Sequence, residues 1–298
     1  MNSQQVKRIF SAVLKIAVSA GAIFYVFTQI DTDAMLDMFR ESSVFHVVVG
    51  MAVLILSQLI SADRLRVILR SSDVIPDRVW NYKLYFVGMA YNLFLPGGIG
   101  GDAYKAVVYN RRFNIKKRIV GLYLIIDRLS GLEMILVWLS FCAFYLDLPL
   151  PGKTLYWLVI PGSIAVIWLL IRKFLPSLLN QLDKILFLAF LVQSVQIICI
   201  QFLAKGLGFE ADFIQITAIF LISTLATTIP VFMGGIGARE AVFGLLALDW
   251  GLDESAAVAV GLAFSAITIV SSLPGLYFDW TLKRRQVVPK DPEEYANG

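Results

Sequence analysis

The chain has 298 residues, of which 58% are hydrophobic and 16% are charged, and its mean hydropathy is +0.74. Soluble domains carry roughly 45–50% apolar and about 25% charged residues, so this composition excludes a water-soluble core and indicates one integral membrane domain. The formal net charge of +4 comes from Lys and Arg clusters between apolar runs. Such clusters are typical of membrane orientation signals and not of a nucleic-acid surface.

Apolar runs of membrane-span length recur along the chain, and each is long enough to cross roughly 30 Å of hydrocarbon as a helix. They cover about residues 9–29, 44–62, 119–146, 154–171, 185–204 and 256–280. The first run is longer than the apolar region of a signal peptide, so we assign it as a span. These runs predict a single membrane domain over residues 1–284, followed by a polar cytoplasmic tail over residues 285–298.

Two further apolar runs, about 80–110 and 212–250, are interrupted by glycines. The interruptions contain Gly97, Gly98, Gly100 and Gly101 after Pro96, and Gly234, Gly235 and Gly237 after Pro230. Irregular backbone at membrane depth survives only where protein or water satisfies it. Each interruption therefore predicts the tip of a helical hairpin beside a polar cavity. Close helix packing at small residues is the alternative explanation.

The charges beside these two runs predict where each hairpin enters the membrane. Basic residues flank the first run on both sides: Arg64, Arg66, Arg70, Arg78 and Lys83 before its glycines, and Arg111, Arg112, Lys116, Lys117 and Arg118 after them. Both ends of the first run therefore lie inside, which makes it a re-entrant hairpin. The second run lies between Glu210 and Asp249 and has no basic flank, so it enters from outside. The same rule places the N- and C-termini in the cytoplasm.

The predicted order of elements repeats. Residues 1–146 and 154–280 each contain a span, a second span, a hairpin and a third span. Three crossings per half invert the second half relative to the first. We therefore predict an all-α polytopic membrane protein built as an inverted repeat of two halves, each with three spans and one re-entrant hairpin. Such repeats with broken helices are typical of secondary transporters, whose substrate site lies near the midplane.

Ionisable and polar side chains near the hairpins are the candidate site residues. The returning helices are expected to begin near Asp102 and near Ala238, and helix N-termini favour anions such as phosphate. Ionisable groups at membrane depth are functional candidates by default. The candidate substrate-binding residues are Arg239, Arg128, Lys105, Asp102, Glu240, Asp127, Asn92, Gln193 and Gln196.

Structural explanations stay open for the charged candidates. Arg128 either binds a headgroup, with the paired hydrogen bonds that Arg offers to phosphate, or pairs locally with Asp127. Lys105 either faces the site or extends to the inner surface. The acids Asp102 and Glu240 cap helices, pair with the cations, or carry a proton that couples transport.

Polar residues of the spans have two interpretations as well. Gln193 and Gln196 share one face of the fifth span at i, i+3, and Gln58 lies in the equivalent second span. They either line a path for the headgroup or form hydrogen bonds between helices. Glu133 lies six residues beyond Asp127, on a different helix face, and has no assigned role. The two cysteines and the one histidine have no metal-ligand spacing, so no metal or cofactor is expected.

Three motifs carry a resemblance to a known family. They are NLFLPGGIGGD at residues 92–102 with Lys105 beyond it, DRL at residues 127–129, and GGIGAREA at residues 234–241. The chain resembles the lysylphosphatidylglycerol synthase transmembrane family, which includes flippase-like members, over nearly its whole length. The resemblance implies movement of a lipid with a polar headgroup between leaflets, and a place in the bacterial cytoplasmic membrane.

The resemblance has two departures. Where relatives often show Arg within the first motif, this chain has Lys105. The chain ends after its last span, so we expect a standalone membrane domain without the soluble aminoacyl-transferase domain. Lysylphosphatidylglycerol synthesis is therefore not implied.

Three hypotheses about function follow from the sequence. The favoured one is a lipid flippase or transporter, not an enzyme, which moves a phosphate-bearing lipid between leaflets through a midplane site between the two re-entrant hairpins. Its partner is a membrane lipid with an anionic headgroup. The second is a non-catalytic membrane partner of a lipid- or envelope-modifying system. The third is a membrane-embedded lipid transferase that uses Asp102, Glu240 or Asp127 as base, although no nucleophile or metal motif accompanies them. The sequence leaves a homo-oligomer, the lipid identity and the energy source open.

Overall fold

The computed structural model describes residues 31–72, 74–94, 100–146, 153–229 and 237–287, together with residues 21, 24, 28 and 235. Every regular element in this part of the chain is helical. Three helical segments are long and apolar enough to cross a membrane by length and composition, namely Val44–Ser72, Pro176–Gly206 and Glu254–Leu282, and each of them joins two consecutive helical elements. The predicted all-helical class is confirmed. The predicted first span, the tail, and Gly97, Gly98 and Gly234 fall largely or wholly outside the described residues.

The helices are numbered here in chain order. They are α1 (Thr32–Glu41), α2 (Val44–Leu69), α3 (Arg78–Phe94), α4 (Gly100–Phe113), α5 (Lys117–Tyr145), α6 (Lys153–Phe174), α7 (Leu182–Gly206), α8 (Phe213–Thr228), α9 (Ala238–Asp249), α10 (Glu254–Ser272) and α11 (Pro274–Val287). Short 3₁₀ turns at Arg70–Ser72 and Pro176–Gln181 extend α2 and precede α7. Helices α2, α5, α6 and α7 coincide with four of the predicted spans.

Two predicted segments differ from the structure. The acid-rich connection after the first span contains helix α1, because Asp31 caps it by accepting from the backbone N–H groups of Asp33 and Ala34 at 3.0 and 3.1 Å. The predicted last span, 256–280, lies within the candidate span Glu254–Leu282, but this segment consists of two helices that meet at Leu273. Pro274 has no N–H group to continue the hydrogen bonds of α10, so the helix restarts there.

Each glycine-interrupted run forms a pair of short helices. Helix α3 has 17 residues, α4 has 14, α8 has 16 and α9 has 12. At about 1.5 Å per residue, none of them reaches the roughly 30 Å of a hydrocarbon core. Helix α3 packs against α4, and α8 packs against α9. The rings of Trp80, near the start of α3, and Phe113, at the end of α4, have centroids 5.6 Å apart. Helices α3 and α4 are therefore antiparallel.

Glycine is required where the short helices meet. A Cβ atom on Gly101 would lie 1.9 Å from the carbonyl oxygen of Gly88, so α3 and α4 approach through these two residues. Gly235 and Gly237 have φ angles of +81° and +90°, a region that favours glycine. Helix α4 begins at Gly100 and α9 at Ala238, as the sequence predicts.

A polar layer separates two apolar cores. One core is built around α7, α8, α9 and α10, and the other around α3, α4 and the neighbouring ends of α2, α5 and α7. Helix α5 contributes Ile126 to one core and Ile135 to the other, and helix α2 contributes Leu65 and Leu54. Asp127, Arg128 and Glu133 of α5 lie between these contributions. The layer therefore crosses the interior where α2 and α5 pass each other.

Candidate functional site

A polar cavity of about 220 Å³ opens in this layer. Its lining comes from α2, α3, α4 and α5: Gln58, Arg64, Tyr85, Met89, Asn92, Asp102, Lys105, Asp127 and Arg128. Five of the predicted site residues therefore meet around one space, namely Asn92, Asp102, Lys105, Asp127 and Arg128. Three cationic and two acidic side chains line the cavity, so its formal charge is positive.

Asp102 is the central acid of the cavity. Its carboxylate accepts from Lys105 Nζ at 2.8 Å and from the Arg128 guanidinium across the gap between α4 and α5. The Lys105 side chain is only 6% exposed, with its Nζ 4.7 Å from the Tyr85 ring centroid. Lys105 therefore faces the site and does not extend to the surface. Arg128 is 42% exposed at the edge of the cavity.

Asp127 pairs with a residue that the sequence analysis assigned differently. Arg64 Nε donates to Asp127 Oδ1 at 2.7 Å, and both side chains are buried. The sequence analysis counted Arg64 among the basic residues of the inner flank and did not identify it as a site residue. The physical reason for its burial is its helix face, which Arg64 shares with the buried residues Ser57 and Ser61 at spacings of three and four. That spacing was the available signal.

The Asn92 side chain forms a hydrogen bond with the start of α4. Its Oδ1 accepts the backbone N–H of Gly101 at 2.8 Å, which satisfies one of the free donors of that helix N-terminus. The side chain thereby joins the end of α3 to the beginning of α4. Asn92 both lines the cavity and fixes the geometry that brings Asp102 into it.

An apolar groove adjoins the polar cavity. Its volume is about 420 Å³, and it lies between α4 and α5. Its lining is apolar apart from Asp102 and Arg128. The other lining residues are Ala103, Ala106, Gly121, Leu124 and Ile125. Asp102 and Arg128 belong to the lining of both spaces. The ion pair between them therefore stands at the junction of a charged cavity and a hydrocarbon-lined groove.

Arg239 and Glu240 of the second hairpin do not line the polar cavity. The Arg239 guanidinium carbon lies 4.4 Å from the ring centroid of Phe264, and its Nη1 is buried with no hydrogen-bond partner in the described part of the chain. Glu240 accepts from Gly237 N–H and from Ser265 Oγ, each at 2.7 Å. Glu240 therefore caps α9, one of the roles that the sequence left open.

The glutamines of α7 also lie away from the cavity. Gln196 Nε2 donates to Ser57 Oγ on α2 at 3.4 Å, which is the interhelical alternative. Gln193 is buried, and its Oε1 has no partner among the residues described. Glu133 accepts from Ser163 Oγ of α6 at 2.8 Å.

The sequence analysis did not identify the attachment of α11 to the first hairpin. The Tyr91 and Tyr104 hydroxyls donate to the two carboxylate oxygens of Asp279 at 3.0 and 2.5 Å. The two tyrosine rings are stacked, with centroids 4.5 Å apart. No motif pointed to this contact, because its members are separated by more than 170 positions along the chain.

Several apolar helices around a charged interior define a multi-pass membrane protein. The family model described as the lysylphosphatidylglycerol synthase TM region matches residues 12–275, and the chain belongs to this family. Membership indicates a lipid-related function in the membrane. No curated protein matches the chain at a significant level. Among the residues that the structure describes, no group of three or more His, Cys, Asp or Glu side chains could hold a metal ion.

Proposed function

We propose that the protein transports a phosphate-bearing lipid between the two leaflets, and that its activity is transport and not catalysis. The observation that carries this proposal is the junction at Asp102 and Arg128, where a charged cavity meets an apolar groove. A membrane lipid has the same two parts, a polar headgroup and apolar chains. The headgroup enters the cavity while a chain stays in the groove between α4 and α5.

Exchange of ion pairs gives the site its binding chemistry. Without lipid, Asp102 holds both Lys105 and Arg128. A phosphate group replaces Asp102 as the partner of Arg128, because Arg binds phosphate with paired hydrogen bonds. Among the ion-paired side chains that line the cavity, Arg128 is the most exposed. Turning it toward the groove therefore costs the least free energy. Lys105 stays with Asp102 and keeps the carboxylate neutralised.

The packing of the helices supports an inverted repeat. The equivalent helices α2 and α7 pack against each other. Contacts between the halves are reciprocal: α5 packs on α7 and α8, and α10 packs on α2 and α3. Within the halves, α4 packs on α5 as α9 packs on α10. We infer two re-entrant hairpins that enter from opposite faces, with both chain termini in the cytoplasm of a bacterial cell.

Arg239 is the residue of the second half that corresponds in position to Asp102 of the cavity. Aligning GGIGGDA at 97–103 with GGIGARE at 234–240 places Arg239 opposite Asp102. Its guanidinium lies against aromatic rings and forms no ion pair with a carboxylate within the described ranges. We assign it to the headgroup after the site has turned toward the other leaflet. An unpaired cation at membrane depth is expensive, which favours a functional role.

Leaflet exchange in proteoliposomes tests the proposal. The protein is reconstituted with traces of a labelled phosphatidylglycerol, a labelled phosphatidylcholine or a labelled diacylglycerol that has no phosphate. The crossing rate of each lipid is compared with that in empty vesicles. The test variant is Arg128→Ala. The matched control is Arg40→Ala, which also removes an Arg–Asp ion pair, at a side chain that is 77% exposed and distant in the chain.

The proposal predicts that the protein accelerates the crossing of the phosphate-bearing lipids relative to empty vesicles and does not accelerate that of diacylglycerol, which crosses rapidly without help. Arg128→Ala abolishes most of this acceleration and Arg40→Ala retains it. No acceleration of any lipid by correctly folded protein would instead favour the non-catalytic partner. Chemical conversion of the labelled lipid during the assay would favour the transferase.

A further inference from the structure

We propose a second binding site, for a phosphate group, where the start of α3, the end of α4 and the end of α11 meet. A cavity of about 320 Å³ lies there. It is lined by Asp77, Val79, Trp80, Lys83, Arg112, Thr281 and Leu282. None of these residues lines the central cavity or its groove. Nine positions of α3 separate Lys83 from Asn92, so the two sites are about 13 Å apart along that helix.

The cations of this cavity are held by aromatic rings and not by acids. The Arg112 guanidinium carbon lies 4.5 Å from the Trp80 ring centroid, and Lys83 Nζ lies 5.9 Å from that of Phe278. Within the described ranges neither cation forms an ion pair with a carboxylate. An aromatic face orients a cation without neutralising it. Both charges are therefore free to meet an anion.

The one acid in the lining does not compensate these cations. Asp77 accepts the backbone N–H of Trp80 at 2.8 Å, which caps α3. The cavity therefore keeps an excess of positive charge. Directly after Leu282 the chain continues into Lys283, Arg284 and Arg285. The end of α11 thus brings further basic residues of the sequence to the same end of the helix bundle.

Trp80 lines the cavity and also carries an unpaired hydrogen-bond donor. The residue is 8% exposed, and its Nε1 is buried without a partner in the part of the chain described. Unpaired buried donors are rare in folded proteins. An anion with several acceptor oxygens can contact Lys83 and Arg112 at the same time. Phosphate has this chemistry, and Arg matches its geometry with paired hydrogen bonds.

The start of α3 and the ends of α4 and α11 lie at the predicted cytoplasmic face. Two sources offer a phosphate group there. One is the headgroup of a lipid in the inner leaflet, and the other is free phosphate in solution. In either case the bound group joins both arms of the first hairpin to α11. The residues that line this site are different from those of the central cavity, so the phosphate site does not depend on the transport proposal.

Thermal unfolding in nanodiscs tests this site. In the first arm, inorganic phosphate is added to protein in phosphatidylcholine nanodiscs, with chloride at matched ionic strength as reference. In the second arm, the nanodiscs contain increasing fractions of phosphatidylglycerol. The test variants are Lys83→Gln and Arg112→Gln. The control is Arg111→Gln, because Arg111 is an exposed neighbour that does not line the cavity.

We expect at least one phosphate source to raise the unfolding midpoint. The concentration needed should rise about tenfold in each test variant, the size of one lost charge-assisted contact, and stay unchanged in Arg111→Gln. A response only to phosphatidylglycerol identifies a lipid headgroup, and a response only to inorganic phosphate identifies the soluble ion. The effects of Lys83→Gln and Arg112→Gln should persist in an Arg128→Ala background, which removes the phosphate ligand of the central cavity and so separates the two sites.

No stabilisation by either probe overturns the proposal, and so does an equal loss of the response in Arg111→Gln. Arg112→Lys serves if a Gln variant does not fold. It keeps the charge but loses the planar guanidinium that stacks on Trp80. An intermediate response of Arg112→Lys is expected, and a response equal to that of the wild type would contradict the assigned role of the guanidinium.

Discussion

Arg64 on α2 and Asp127 on α5 form an ion pair at 2.7 Å, although 63 positions separate them in the chain. Their side chains are 6% and 8% exposed, so the pair is removed from solvent. A buried pair contributes little net stability, because desolvation offsets the attraction, but the loss of one partner leaves an uncompensated charge. The pair therefore fixes how α2 and α5 cross in the polar layer.

Removing one partner of this ion pair should lower the unfolding free energy more than replacing both partners with apolar residues. Arg64→Met or Asp127→Leu alone is expected to cost about 3–5 kcal/mol of unfolding free energy, since each leaves one buried charge. The double variant should recover most of that loss. Unfolding of the two single variants and the double variant in detergent gives the coupling energy. If the losses of unfolding free energy in the two single variants simply added in the double variant, Arg64 and Asp127 would not be energetically coupled.

The contact between Gly88 and Gly101 predicts a severe effect of one methyl group. Gly101→Ala places a Cβ 1.9 Å from a backbone carbonyl, which neither α3 nor α4 can relieve without separating. We expect loss of the folded protein or a large fall in its unfolding midpoint. The control is Gly162→Ala, where a Cβ meets no atom within 4 Å. That variant should be neutral or slightly stabilised, because Ala favours helix over Gly. Equal behaviour of the two variants would contradict the close approach.

The two hydroxyls on Asp279 predict a specific loosening of the first hairpin. The variant with Tyr91→Phe and Tyr104→Phe keeps the stacked rings but removes both hydrogen bonds to Asp279. Faster hydrogen exchange of α3 and α4 is expected, with helix α7 unchanged. Tyr277→Phe is the control, because Tyr277 is exposed. Unchanged exchange in the double variant would show that these hydrogen bonds do not hold α11 to the hairpin.

The sequence predicted where helices lie better than which side chains meet. Glycine positions mark α4 and α9 correctly. The positive φ angles at Gly235 and Gly237 are a local property, whereas Gly101 is required by its close approach to Gly88. The break at Leu273 was missed, since Pro at the first position of a helix disturbs an apolar pattern only slightly. Helix α1 was missed because acids at its start resemble an external loop.

Charge counting also failed to identify one site residue. It treats every Lys and Arg beside a span as a solvent-exposed signal, and it therefore placed Arg64 at the inner surface. Helix periodicity puts Arg64 on the buried face, and only the three-dimensional packing supplies Asp127 as its partner. Similarly, Tyr91, Tyr104 and Asp279 come together through the docking of α11 on α3, which no local pattern encodes.

The central claim is that the hairpins enter from opposite faces and return to the face they entered. Single cysteines at Ile75 and Lys116 flank the first hairpin, and single cysteines at Glu210 and Asp249 flank the second. All four positions are exposed, whereas the native Cys142 and Cys199 are buried. Labelling of intact cells with a membrane-impermeant thiol reagent should modify Glu210→Cys and Asp249→Cys. Ile75→Cys and Lys116→Cys should react only after the membrane is opened. Labelling of Lys116→Cys in intact cells would contradict the first hairpin and the inverted repeat.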